Sequence, residues 1–216
     1  MPKGGNGTAD GGSWIKLEST SSGVTAGTGT DQQNVTVTLD WPGSSAYRYT
    51  SFGRWLGSLP MGENDGVFAY GSPTPGAEVP ISGKATYTGE IRGLTNGEPT
   101  HNGAIGPALD VFGQVILAFD FAAGTLTGEM RPQYAPIWDP VSLGTYPFRD
   151  TVHAVGSPAF SGAFAVPGST AASTFSGSLT GPGAAELMAT WLAPFRDTGS
   201  GGWGTMSGVW IARKDK

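Results

Sequence analysis

Residues 175–191 read Phe175-Ser-Gly-Ser-Leu-Thr-Gly-Pro-Gly-Ala-Ala-Glu-Leu-Met-Ala-Thr-Trp191: a strand, a Gly/Pro turn with a short helical step, and a second strand. The first strand opens on a local pattern of bulky apolar residue, hydroxyl residue, glycine. The pattern returns at Phe160-Ser161-Gly162, Tyr87-Thr88-Gly89, Leu126-Thr127-Gly128 and Met206-Ser207-Gly208. Because strand side chains alternate between faces, this triplet puts the bulky residue inside and the hydroxyl outside, and the glycine is expected to mark a bend or bulge. Repeated over successive strands, it describes a tightly curved antiparallel barrel.

Composition agrees. Of 216 residues 36 are Gly, more than twice the usual share of about 7%. There is no Gly-X-Y period, so the excess reads as hairpin turns and strand bends in an all-β chain. Hydrophobic residues make up 38%, with 7 Trp, 10 Phe and 6 Tyr, which is enough for a real core. The net charge is −5 and the basic residues are scattered, which argues against a nucleic-acid partner. No apolar run reaches the 18 residues that a membrane-spanning helix needs, and no cysteine is present for a disulfide, a thiol nucleophile or a thiolate metal site.

Residues 1–13 read as a flexible Gly-rich tether and residues 14–80 as a small β-rich subdomain. Residues 81–216 read as the barrel, with the proline-rich run from Gly71 to Pro80 as the connector. In the first unit, Val35 to Leu39, Ala46 to Leu56 and Val67 to Tyr70 are expected strands, with Gly53 a bulge and residues 19–33 a loop or weak strand. In the second, strands are expected at 83–93, 111–121, 125–130, 160–166, 173–180, 187–192 and 206–212. Residues 132–153 carry four prolines and read as a long irregular excursion of the kind that holds function. Their deletion over 134–150 should leave a folded barrel.

Four segments carry a family resemblance. Gly83-Lys-Ala-Thr-Tyr-Thr-Gly-Glu-Ile-Arg-Gly93 looks like the first barrel strand of the transferrin-binding protein B-like β-barrel family. Ala118-Phe-Asp-Phe-Ala-Ala-Gly-Thr-Leu-Thr-Gly128 resembles the family's hairpin ADF…GTLTG, and residues 175–191 resemble its signature FxGxFxGPxAxExxGxF. Phe68-Ala-Tyr-Gly-Ser-Pro-Thr-Pro75 is similar to the segment leading from the family's handle subdomain into its barrel. In order, these motifs cover residues 65–214.

The resemblance implies an eight-stranded antiparallel up-and-down β-barrel preceded by a handle, in a single lobe where full-length transferrin receptors have two. It implies a monomer displayed at the bacterial outer-membrane surface by a lipid anchor, or secreted. The implied role is capture of iron, haem or an iron- or haem-carrying protein through barrel loops, with an outer-membrane receptor as a further partner. An adhesive or host-factor-binding protein without a transport role is the alternative. Family members bind through variable loops, so no binding residue carries over by position.

Candidate ligand-binding residues therefore come from residue type and setting. His101 and His153 carry imidazoles able to ligate haem iron, and Tyr134 and Tyr146 offer phenolic oxygens. Trp138 and Trp203 lie in Gly/Pro-rich loops and suit interface anchors, whereas Trp14, Trp41, Trp55, Trp191 and Trp210 lie in or beside strands and suit packing. The carboxylates Asp110, Asp120, Glu129, Asp139 and Glu186 contain one pair, Asp120 and Glu129, flanking a single hairpin, the minimum for glycan hydrolysis. Glu186, in the turn, reads instead as an acceptor for backbone N–H groups. No nucleophile–base pair, metal-ligand spacing or phosphate loop is present, so the chain is not expected to be an enzyme.

Overall fold

The structure, a computed structural model, describes residues 15–20, 23–28, 34–39, 46–59, 62–96, 108–135 and 139–216. His101, Trp138, Trp14, Trp41 and the expected tether lie outside the described residues. Five strands form one antiparallel sheet in chain order: β1 (Ile15–Thr20), β2 (Gly23–Thr28), β3 (Asn34–Leu39), β4 (Thr50–Leu59) and β5 (Gly62–Gly71). Residues 19–33, expected as a loop or weak strand, hold the end of β1 and all of β2. Gly53 is not a bulge, since it pairs in continuous register with Phe68.

The second sheet contains β6 (Lys84–Thr95), β7 (Asp110–Asp120), β8 (Thr125–Tyr134), β9 (Val141–Ser142), β10 (Tyr146–His153), β11 (Ala159–Phe164), β12 (Thr174–Thr180), β13 (Glu186–Arg196) and β14 (Trp203–Lys214). Its order is β10-β11-β12-β13-β14-β6-β7-β8. A further pairing of β10 with β8 closes an eight-stranded antiparallel barrel, with β9 a short flank on β8. The all-β, eight-stranded barrel expected from sequence is the one observed. The turn at its signature segment is a 3-10 step at Pro182–Ala184 between β12 and β13. The excursion at 132–153 is a different matter: its last eight residues are β10, which closes the barrel. Deleting 134–150 would remove a wall strand rather than a spare loop.

Eight strands enclose little more than side chains, and here aromatic rings fill the space. Tyr87, Phe119, Phe121, Phe160, Phe164, Phe175, Phe195 and Trp210 are all buried, and Phe148 stacks on Trp210 from the partly covered β10. Each bulky residue of the repeated triplet points inward, as the alternation requires. Its glycine faces inward too; Gly177, Gly162 and Gly208 each stand opposite an aromatic on a neighbouring strand, and Gly162 also faces the bulge in β10 between Arg149 and Val152. Phe160 lies across from Gly177 and Phe175 across from Gly162, a reciprocal exchange between β11 and β12. A Cβ at Gly177 would fall 2.5 Å from the Phe160 ring, and one at Gly162 would fall 2.5 Å from the Phe175 ring. The glycines thus supply the volume that the rings occupy.

The first sheet docks on the outer face of β13 and β14. Tyr47 and Phe52 pack on Val209 and Ile211, so β14 is buried on both faces from Val209 to Ala212. Polar anchoring comes from Glu186, buried at the start of β13. Its carboxylate accepts the backbone N–H groups of Arg48 (2.7 Å), Tyr49 (2.9 Å) and Thr50 (2.9 Å) and the Thr50 hydroxyl (2.7 Å). The sequence assigned Glu186 to backbone N–H groups; the donors belong to the other sheet. The connector adds an isolated bridge from Pro73 to Thr180.

Candidate functional site

The barrel has two ends. At one end lie the starts of β7, β10, β12 and β14 and the ends of β6, β8, β11 and β13. Three of the candidates, Tyr134, Tyr146 and Trp203, meet there. The β13–β14 hairpin is built on Asp197, whose carboxylate accepts the Ser200 N–H on one oxygen and the Tyr134 hydroxyl (2.8 Å) on the other. Its own backbone closes the loop through Gly201 and Gly202. Beside this hairpin is a groove of about 380 Å³ lined by Leu143, Tyr146, Pro167, Arg196, Asp197 and Trp203.

The members of this groove play unequal parts. Trp203 is 44% exposed and projects an indole into it. Arg196, also exposed, spends only its Nε on the Gly201 carbonyl (3.1 Å), so its guanidinium lies on the groove wall. Tyr134 and Tyr146 sit beneath, inside the barrel. The Tyr146 hydroxyl donates to the Pro194 carbonyl at 3.3 Å, and burial pushes both phenols above their ordinary range. Neither is poised to ionise and bind iron; both support the floor.

Burial works against ionisation of Asp197. It is outweighed by hydrogen bonds from Ser200, Tyr134 and Gly199, which hold the carboxyl at about 2 against an ordinary 3.8. A depressed carboxyl stabilises the fold above its unfolded pKa, and that contribution is lost as pH falls from about 4 toward 2. Asp197→Asn is expected to flatten the acid limb of a plot of melting temperature against pH over that window. An unaltered acid limb in a folded Asn variant would contradict this.

His153 is at the opposite end and is not a loop residue. It closes β10 with its ring 6% exposed inside the barrel, edge-on to Phe119 (centroids 5.0 Å apart) and Phe121 (5.8 Å). Burial lowers its pKa against the opposing effect of the Ser157 backbone, although neither ring nitrogen reaches a partner in good hydrogen-bond geometry. The ring is enclosed by phenyl groups inside the barrel, so His153 leaves the set of haem ligands. Asp120 and Glu129 do not form a pair either. Asp120 caps its turn through the Ala123 N–H and meets Lys84, while Glu129 meets Arg131. Asp120 faces Thr125 in register, so Glu129 stands four residues further along β8, roughly 13 Å away.

A larger cleft of about 680 Å³ runs along the joint between the two sheets. There the Arg92 guanidinium lies 4.5 Å above the Phe52 ring, and Arg54 bridges Asp65 and Asp110. The Arg54–Asp110 pair and the Arg92–Phe52 contact both cross the joint, which makes the cleft part of the docking seam.

The two sheets and their attachment define an all-β handle–barrel protein. Solved structures share that fold. Transferrin binding protein B from Haemophilus parasuis Hp5, a vaccine antigen solved as a double mutant, is 16% identical with a TM-score of 0.59, over 93% of this chain and 38% of that one. A single mutant of the same antigen is 17% identical with a TM-score of 0.53, over 92% and 38%. Intact Ap-TbpB, with its N and C lobes, is 16% identical with a TM-score of 0.52, over 96% and 40%. The chain spans about two fifths of the length of these structures, so its fold is that of a single TbpB-like handle and barrel. No family profile and no curated protein matches the sequence.

Proposed function

We propose that the chain is a non-enzymatic binding protein displayed at a bacterial outer-membrane surface through a lipid anchor, or secreted. Its ligand is a protein that carries iron or haem, taken at the barrel end that bears Trp203 and Arg196. The observation behind this reading is that groove. It sets an exposed indole next to an arginine over a rigid, hydrogen-bonded floor, the residue types that dominate binding energy at protein interfaces. The fold shared with transferrin binding protein B supports the choice of ligand class. A haem site on this chain would rest on His101, since His153, Tyr134 and Tyr146 are committed to the interior.

The test is surface binding of iron-loaded transferrin and of haemoglobin, with a separate haemin titration followed in the Soret region. Saturable binding of one carrier is expected. Trp203→Ala and Arg196→Ala should each weaken it about 30-fold or more, as hot-spot truncations do, at unchanged melting temperature. Carrier binding that survives both substitutions would move the site elsewhere. A Soret shift lost in His101→Ala would establish a haem site instead. Binding of none of the three would favour the adhesive or host-factor reading.

A further inference from the structure

Strand β5 is an edge of the handle sheet: it pairs with β4 along its whole length and, among the described residues, with no strand on its other side. The Ser72 N–H donates to the Tyr49 carbonyl at 2.9 Å, which fixes the phase of the ladder. Opposed residues in an antiparallel pair alternate between exchanging both hydrogen bonds and exchanging none. Tyr70, Phe68 and Gly66, at even steps back from Ser72, therefore turn their N–H and C=O groups to β4. Ala69 and Val67 turn theirs to the free edge, in a row that repeats at about 6.8 Å. Edges of this kind are ordinarily blunted by a lysine, a proline or a bulge. The run Val67-Phe68-Ala69-Tyr70 has none of these, and its register with β4 is unbroken.

Beside that edge, on the outer wall of the barrel, lies a groove of about 640 Å³. The pair Phe52–Ala69 sets the order across the joint. Phe52 reaches Arg92 on β6, whereas Ala69 lines the groove with Met188 on β13, so the free edge of β5 looks toward β12. Met188 and Thr190 of β13 and Ser176 and Ser178 of β12 form the floor, and Val152 of β10, 63% exposed, stands on the far side. Paired strands lie about 4.8 Å apart and stacked sheets about 10 Å. A strand added to β5 would thus extend the handle sheet over β12 and β13, with every second side chain reaching into the groove. The lining there has no ionisable group. Ala69 and Met188 already pack against the joint of Tyr47, Phe52, Val209 and Ile211, so the groove continues an existing interface.

We propose that this edge and groove bind an extended segment of a partner protein, which joins the handle sheet as a further strand beside β5. The main-chain groups of Val67 and Ala69 hold the segment whatever its sequence. The groove selects uncharged, apolar or β-branched side chains at alternate positions. A second copy of this chain does not fit. Symmetric pairing of two β5 edges is antiparallel about a twofold axis normal to the sheet, which puts both barrels on the same side and drives the second into the wall at β11 and β12. A lone segment brings no barrel with it. The site shares no residue with the groove at Trp203 and Arg196.

The test is hydrogen exchange of the whole chain, read amide by amide by NMR. Without ligand, the Val67 and Ala69 amides should exchange about 10-fold or more faster than those of Phe68 and Tyr70. A displayed library of random peptides of about ten residues, selected on the chain, should yield binders with uncharged residues at alternate positions. At saturation a synthetic binder should slow Val67 and Ala69 about 10-fold or more and leave Phe68 and Tyr70 unchanged. N-methylation of the binder at alternate residues should abolish binding. Ser176→Lys, at an exposed outward position, should weaken binding about 10-fold at unchanged melting temperature. Ala69→Pro, which removes an N–H that β4 does not use, should abolish it. The proposal is overturned by a library from which no peptide protects these two amides, or by a peptide-free chain in which Val67 and Ala69 are as protected as Phe68. Protection that grows with the concentration of the chain alone would give the edge to a second copy and overturn it as well.

Discussion

Glu186→Ala should lower the melting temperature by about 10 °C. The substitution strands three backbone N–H groups and the Thr50 hydroxyl, four donors whose common acceptor is one buried carboxylate. Hydrogen bonds to a charged acceptor contribute about 1.5–3 kcal/mol each, and water reaching the Arg48 side recovers part of that, so the net loss is about 3–4 kcal/mol. At this chain length each kcal/mol corresponds to about 2–4 °C. Because the donors belong to the handle and the acceptor to the barrel, the loss should fall on docking. Differential scanning calorimetry should show an early handle transition, and hydrogen exchange should rise at Val209 and Ile211, the residues that the handle covers. A single unshifted transition in Glu186→Ala would mean that the apolar contacts of Tyr47 and Phe52 hold the joint alone.

Gly177→Ala should cost about 3 kcal/mol, at the upper end of ordinary overpacking, although a single methyl is added. The new Cβ would lie 2.4 Å from the Met188 carbonyl oxygen and 2.5 Å from the Phe160 ring. The ring can be trimmed but the carbonyl cannot move without breaking the β12–β13 ladder, where Gly177 pairs with Ala189. Urea unfolding of Gly177→Ala, Phe160→Leu and the double variant separates the two clashes. The double variant should be more stable than the sum of the single losses by about 1 kcal/mol, the coupling expected of residues in direct contact. Strict additivity would show that the glycine is required by the backbone alone.

Most of the barrel is legible in the sequence because strands such as β6, β8 and β12 alternate between inward apolar residues and outward Ser, Thr or charged ones. The closing strand, β10, is hidden for identifiable reasons. Pro147 sits where a strand would ordinarily need an N–H, and the bulge at Arg149–Asp150 breaks the alternation midway, so no period-2 signal survives. The same shift misplaces His153, which any unbroken reading puts on the surface. The glycines are legible as barrel residues but not in their role, because the partner of each, such as Phe160 for Gly177, lies on another strand and depends on a register that spacing does not give. Of the groove, Trp203 is visible from its Gly-rich surroundings. Arg196 and Asp197 are not, since their importance comes from the hairpin that brings them beside Tyr134 and Tyr146.

The joint at Glu186 is read almost wholly through main-chain atoms: three of its four donors are peptide N–H groups that any non-proline residue supplies. The side chains of Arg48 and Tyr49 are therefore under no obligation to the carboxylate. A handle from a different barrel, threaded with the same backbone curvature and a hydroxyl at the third position, would satisfy the socket equally well. A chimera that exchanges handles would still have to match Tyr47 and Phe52 to Val209 and Ile211, so the carboxylate is a general socket and the apolar patch beside it the specific one.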